Sequence, residues 1–114
     1  MTASHKLHSF FAADDWTING TLYDIYDDPL NPTGYTIEWG LYDFNLVPVI
    51  NTGDVIITIA DAVNGKIVIT VPSEKTQIVV PGDYTDALRL TKNQNTGTMW
   101  TGPIMVKKAR FPAI

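Results

Sequence analysis

A chain of 114 residues, 45% apolar and 18% charged, has the size and composition of one globular domain and lies far from the composition of disordered chains. Its net charge of -4 argues against nucleic acid, whose binders cluster Lys and Arg against phosphates, and the short cluster Lys107, Lys108 and Arg110 cannot line a groove. With no cysteine, disulfides, thiol nucleophiles and thiolate metal sites are excluded, and no apolar run reaches the roughly 18 residues that cross a bilayer.

Residues 1–12 are polar at first and then carry Leu7, Phe10 and Phe11. They read as an N-terminal arm whose two phenylalanines either pack under the domain or dock on a neighbour. The start lacks a basic region followed by an apolar stretch, so no secretory leader is expected.

From here the dominant rhythm is the two-residue alternation of strands. Trp16, Ile18 and Leu22 alternate with Thr17, Asn19 and Thr21, which predicts a strand. The sequon Asn19-Gly20-Thr21 reads as polar strand positions. Asp27 to Gly34, with two prolines, is a loop. Tyr35, Ile37, Trp39 and Leu41 then alternate with smaller or polar residues, a half-buried strand centred on Trp39. A short strand follows at Leu46 to Ile50, marked as an edge by Pro48.

Val55 to Ile59 and Ile67 to Val71 are dense in β-branched residues, which suit a pleated surface. Between them Asp61-Ala62-Val63-Asn64-Gly65 ends in the turn signal Asn-Gly, so the two strands should form a hairpin. Ser73 to Thr76 fits one helical turn before Ile78 to Val80, and Pro81-Gly82-Asp83 turns into a strand at Tyr84 to Thr91. There Tyr84, Leu88 and Leu90 share a face with Asp86, an unexpected core position. Asn93 to Gly97 is a polar turn. The last strand, Thr98 to Val106, is interrupted by Pro103, which marks an edge, a bulge or a solvent-facing position.

Groups that could carry chemistry are few. His5 and His8 do not complete a metal site and lie near the terminus. They are also the only histidines, which removes a Ser-His-Asp triad. Glu38, Asp43, Asp83 and Asp86 could in principle run glycoside hydrolysis, but acids at the turns and wet faces of sheets are ordinarily solvated. Asp24, Asp27, Asp28 and Asn31 resemble a calcium loop in composition only; without alternating ligands and a closing Glu they read as caps of their own backbone. Phosphate-cradling glycine motifs are absent. No cofactor and no enzymatic activity are expected.

Among the aromatics, Trp16, Trp39 and Trp100 fall in phase with apolar neighbours and are assigned to the core. Tyr23, Tyr26 and Tyr42 fall out of phase and are candidates for an interaction surface, together with Phe10 and Phe11. Tyrosine offers contact area at low entropic cost.

The order of Asp15-Trp16-Thr17, Ile37-Glu38-Trp39, Asp61 to Gly65, Ile67 to Pro72, Val80-Pro81-Gly82-Asp83-Tyr84, Leu88-Arg89-Leu90 and Thr98 to Val106 resembles small immunoglobulin-like proteins encoded among bacteriophage tail genes. It is similar also to the N-terminal domain of siphophage baseplate upper proteins. The resemblance spans about residues 14 to 107. Asp86-Ala87 stands where those proteins usually have an aromatic and an acid, and Pro103 follows Gly102 in place of a β-branched residue. The family implies a scaffold without reacting groups, a role in the virion, and contacts made through sheet edges and loops.

The sequence thus predicts an all-β, immunoglobulin-like β-sandwich of seven to eight short antiparallel strands over residues 13–108, with residues 109–114 as a tail. The expected function is a non-enzymatic structural or interaction module of a phage or prophage tail or baseplate. It would bind other virion proteins, with a homo-oligomer as one form, and would reside in the virion or, during assembly, in the bacterial cytoplasm. The alternative is a small carbohydrate-binding sandwich that recognises a host surface glycan. Neither nucleic acid nor membrane is expected as a partner.

Overall fold

The computed structural model describes residues 2–4 and 8–109. Among them run nine strands: β1 (Thr2–Ser4), β2 (His8–Phe11), β3 (Trp16–Tyr23), β4 (Thr36–Tyr42), β5 (Pro48–Ile50), β6 (Ile56–Asp61), β7 (Lys66–Val71), β8 (Gly82–Lys92) and β9 (Asn95–Lys107). One helical turn, α1 (Ser73–Thr76), and a 3-10 turn at Thr52–Asp54 complete the elements. The strands form two sheets, ordered β1-β3-β7-β6 and β2-β9-β8-β4-β5. This is an immunoglobulin-like β-sandwich, held by the apolar face that each sheet turns to the other.

That core follows the alternation in the sequence. Trp16, Ile18 and Leu22 of β3 and Ile67, Ile69 and Val71 of β7 face Trp39 and Leu41 of β4, Leu88 and Leu90 of β8, and Trp100, Ile104 and Val106 of β9; all are buried. Gly20 occupies the remaining inward position of β3, and a Cβ there would lie 2.6 Å from the Trp100 ring. A small residue on one sheet therefore makes room for the largest on the other.

Two features differ from the sequence reading. Residues 2–4 and 8–11 are not a free arm: β1 pairs antiparallel with β3, and β2 pairs parallel with the end of β9. They add two edge strands, one of them parallel, to the seven or eight antiparallel ones expected. Phe10 lies stacked on Trp16, ring centroids 5.0 Å apart, and the Phe11 carbonyl accepts the Trp16 indole N–H at 2.9 Å. Phe10 packs against the core, the first of the two placements open to the pair, while the Phe11 ring lies 5.4 Å from the Lys107 ammonium.

Second, β9 starts at Asn95 because the β8–β9 turn needs only Asn93 and Gln94, at φ 51° and 68°. Positive φ at both central positions matches the right-handed twist of a two-residue hairpin. After α1, Val79 is buried while Ile78 and Val80 are exposed.

The expected devices elsewhere are present. Pro48 opens β5 on the outer edge of its sheet. Pro103 sits opposite Thr85, one residue before the ladder with β2 begins at Ile104. The Asn64-Gly65 turn closes the β6–β7 hairpin with Gly65 at φ 68°. Turn α1 is tied across the end of the sandwich, where the Ser73 amide donates to Asp15 Oδ1 at 2.6 Å and the Thr76 hydroxyl donates to the Asp14 carbonyl at 2.7 Å.

Candidate functional site

The outward face of the five-stranded sheet carries a groove of about 590 Å³, within the roughly 300–1,000 Å³ of small-molecule sites. Its shape follows from three consecutive outward rungs between β4 and β8: Glu38 opposite Arg89, Gly40 opposite Ala87, and Tyr42 opposite Thr85. The middle rung carries almost no side-chain volume, so the face has room there, part of it taken by the Tyr42 ring. Thr98 and Thr101 of β9 and Asn51 and Thr52 after β5 line the flanks.

Gly40 has a second role. A Cβ there would lie 3.0 to 3.2 Å from the Tyr42 hydroxyl and ring edge, so the tyrosine lies back along its own strand over the glycine. On the rung beyond, Arg89 grips Glu38 with three N–H···O contacts of 3.0 to 3.2 Å. These bonds, followed by the Glu38 charge, push the guanidinium pKa up, and the phenol oxygen of Tyr42 adds a smaller electrostatic push in the same direction. The groove thus holds an aromatic ring, a mutually neutralised ion pair and several hydroxyls.

Leu46 reaches the groove from the β4–β5 hairpin. In this turn Asp43 Oδ1 accepts the amides of Asn45 and Val47, both at 2.9 Å, and the Asp43 carbonyl accepts the Leu46 amide at 2.9 Å. Leu46 is held at φ 61°, a region costly for a branched side chain. Phe44 and Leu46 are left 95% and 72% exposed. An apolar tip is thereby presented on a braced loop.

Of the five sequence-level candidates, the structure gathers only two neighbours and one groove residue. Phe10 and Phe11 lie together on β2, half-buried. Tyr23 ends β3 in the other sheet, Tyr26 stands exposed in the following loop, and Tyr42 alone lines the groove. No single surface joins the three tyrosines.

Three of the four acids weighed for hydrolysis are engaged. Asp86 is buried and accepts the indole N–H groups of Trp39 and Trp100, Asp43 braces the hairpin, and Glu38 pairs with Arg89. Asp83 is exposed at the start of β8. Asp24 Oδ1 accepts the amides of Tyr26 and Asp28 at 2.8 and 3.0 Å, and Asn31 Oδ1 that of Thr33 at 3.0 Å, the backbone-capping role read from that loop. His5 and Arg110 lie outside the described residues.

What the sequence reading missed is the groove. Its signal was Glu38-x-Gly40-x-Tyr42 on the wet face of a strand whose other face was plainly core.

The fold places the chain among immunoglobulin-like sandwiches. No family model and no curated protein matches it. Among solved structures it is similar to the Lin-41 filamin domain, with a TM-score of 0.50 and 14% identity, over 92% of this chain and 91% of that one. It is similar also to CopC from Methylosinus trichosporium OB3b, with a TM-score of 0.54 and 12% identity, over 99% of this chain and 96% of that one. At such identities the likeness concerns the fold alone.

Proposed function

We propose that this chain is a non-enzymatic structural or interaction module, associated with a phage or prophage tail or baseplate, that binds other virion proteins. The observation that carries the contact-making role is the braced apolar tip: Phe44 and Leu46 are held out in solvent by a turn in which Asp43 caps two amides and Leu46 adopts a positive φ. Exposing that surface on a rigid loop reduces the ordering cost of an encounter. A second contact is available at β6, an edge strand with Ile56 and Ile59 exposed and neither proline nor charge from Ile56 to Ala60. Such an edge can accept a partner strand. The virion assignment rests on the resemblance of the strand and turn motifs.

The non-enzymatic reading is supported by Asp43, Glu38 and Asp86, which brace a turn, pair with Arg89 and bond to buried indoles respectively, so that no two of them stand free to act on one substrate. The test is light scattering at several concentrations combined with co-expression with phage tail proteins, for the wild type and for Phe44→Ser with Leu46→Ser. The expected result is a stable complex or oligomer that the double variant loses with its melting temperature preserved. A monomer at every concentration that joins no tail protein overturns the proposal.

A further inference from the structure

We propose that the groove on the outward face of the five-stranded sheet is a binding site for a neutral saccharide. The inference goes beyond the virion role and needs no protein partner, although the groove borders the apolar tip through Leu46.

Four features point to this ligand class. The Tyr42 ring lies along its strand over Gly40 and lines the groove, and a half-buried tyrosine there offers a ring, apolar on its surface and polar at its rim, for the C–H face of a sugar. The Glu38–Arg89 pair stands on the rung beyond, with three N–H···O contacts. Its unused lone pairs and N–H groups suit the vicinal hydroxyls of a sugar, which donate and accept side by side.

The groove is electrically balanced as well. Glu38 and Arg89 neutralise each other, and the remaining polar lining is threonine and asparagine. An anionic ligand would have to compete with Glu38 for Arg89, so a neutral ligand is favoured. Finally, Ala87, opposite Gly40, keeps side-chain volume small beside the Tyr42 ring, where a sugar ring would sit. Filling that space would cost the site its depth without touching the core, because both residues project away from the inter-sheet space.

Of the three candidate tyrosines only Tyr42 belongs to this site, so Tyr26, which is 77% exposed in the β3–β4 loop, serves as a control. The experiment screens the full chain on an array of neutral glucose-, galactose-, mannose- and N-acetylglucosamine-based oligosaccharides beside sialylated and sulfated ones. The best neutral binder is then titrated while backbone amide shifts are followed. Shifts should centre on Gly40, Tyr42, Ala87, Arg89 and Thr101. Tyr42→Ala and Ala87→Leu should each weaken binding by about tenfold or more, with spectra otherwise native, and Tyr26→Ala should leave it unchanged. A blank array, a preference for anionic chains, shifts that map elsewhere, or affinity that survives both groove substitutions would each overturn the proposal.

Discussion

The indole N–H of Trp39 in β4 donates to Oδ2 of Asp86 in β8 at 2.8 Å, and Trp100 of β9 donates to the same oxygen at 2.9 Å. Three adjacent strands are thereby joined through one carboxylate that is 0% exposed. An indole carries a single donor and no acceptor, so a tryptophan in a dry core needs such an oxygen. Asp86 is the acceptor that lets two tryptophans occupy the inter-sheet space with their N–H groups satisfied. Asp86→Ala should leave both donors without it, at about 1–3 kcal/mol each, whereas Asp86→Asn retains an oxygen and should lose less. Urea unfolding of the two variants decides the matter; an alanine variant as stable as the wild type would contradict the role.

Trp39 is itself buried among residues of both sheets. Trp39→Ala should destabilise the domain by about 3–5 kcal/mol, as large buried aromatics do. A loss below about 1 kcal/mol in the same unfolding experiment would be incompatible with its position.

Gly65 is required twice over. Its φ is 68°, and a Cβ there would lie 2.5 Å from the Leu22 carbonyl oxygen and 2.8 Å from that of Leu30. Both clashes are with backbone, which cannot step aside as a flexible side chain can. Gly65→Ala should cost about 1–3 kcal/mol from strain and crowding together. Gly53→Ala, with nothing within 4 Å of its added Cβ, should stay within about 0.5 kcal/mol of the wild type. Equal melting temperatures for the two variants would refute the distinction.

Asp61 gives a pH dependence with a definite sign. The Asn64 side chain donates to its carboxylate at 2.8 Å, and this bond, followed by that of the Asn64 amide, holds its pKa below the ordinary 3.8. A depressed folded pKa means that the carboxylate's contribution is present above the unfolded value and is lost as pH falls through the folded one. The β6–β7 turn should therefore loosen only in acid below the ordinary aspartate range. NMR titration of the Asp61 carboxyl checks this, and a midpoint at or above 3.8 would reverse the assignment.

Deletion of residues 1–12 separates a free arm from a structural edge. A free arm could be removed with little change in melting temperature. Since β2 pairs with β9 and Phe10 stacks on Trp16, the truncated chain should instead melt several degrees lower, a loss of about 1 kcal/mol or more for a domain of this size. An unchanged melting temperature would show that β2 contributes no stability.

Much of this molecule was legible because strand alternation is a local signal. The core positions of β3, β4, β7 and β8 follow from every second residue being apolar, the hairpin at Asn64-Gly65 from residues that tolerate positive φ, and the edge at Pro48 from a missing N–H. Even Asp86 stood out, in phase with Leu88 and Leu90. The groove was half legible: Glu38, Gly40 and Tyr42 share a face by alternation, but nothing in the chain says which strand lies beside them.

The sequence by itself thus determined which face of each central strand is buried and where the chain turns, since both depend on neighbours a few residues apart. Tertiary structure alone decided that residues 8–11 pair with the end of β9, that Asp86 meets Trp39 and Trp100, and that Ala87 and Arg89 stand opposite Gly40 and Glu38 to hollow and polarise the groove. These pairings join residues far apart in the chain. Their register is set by how the two apolar faces close on each other, a property of the whole sandwich that no short stretch of sequence contains.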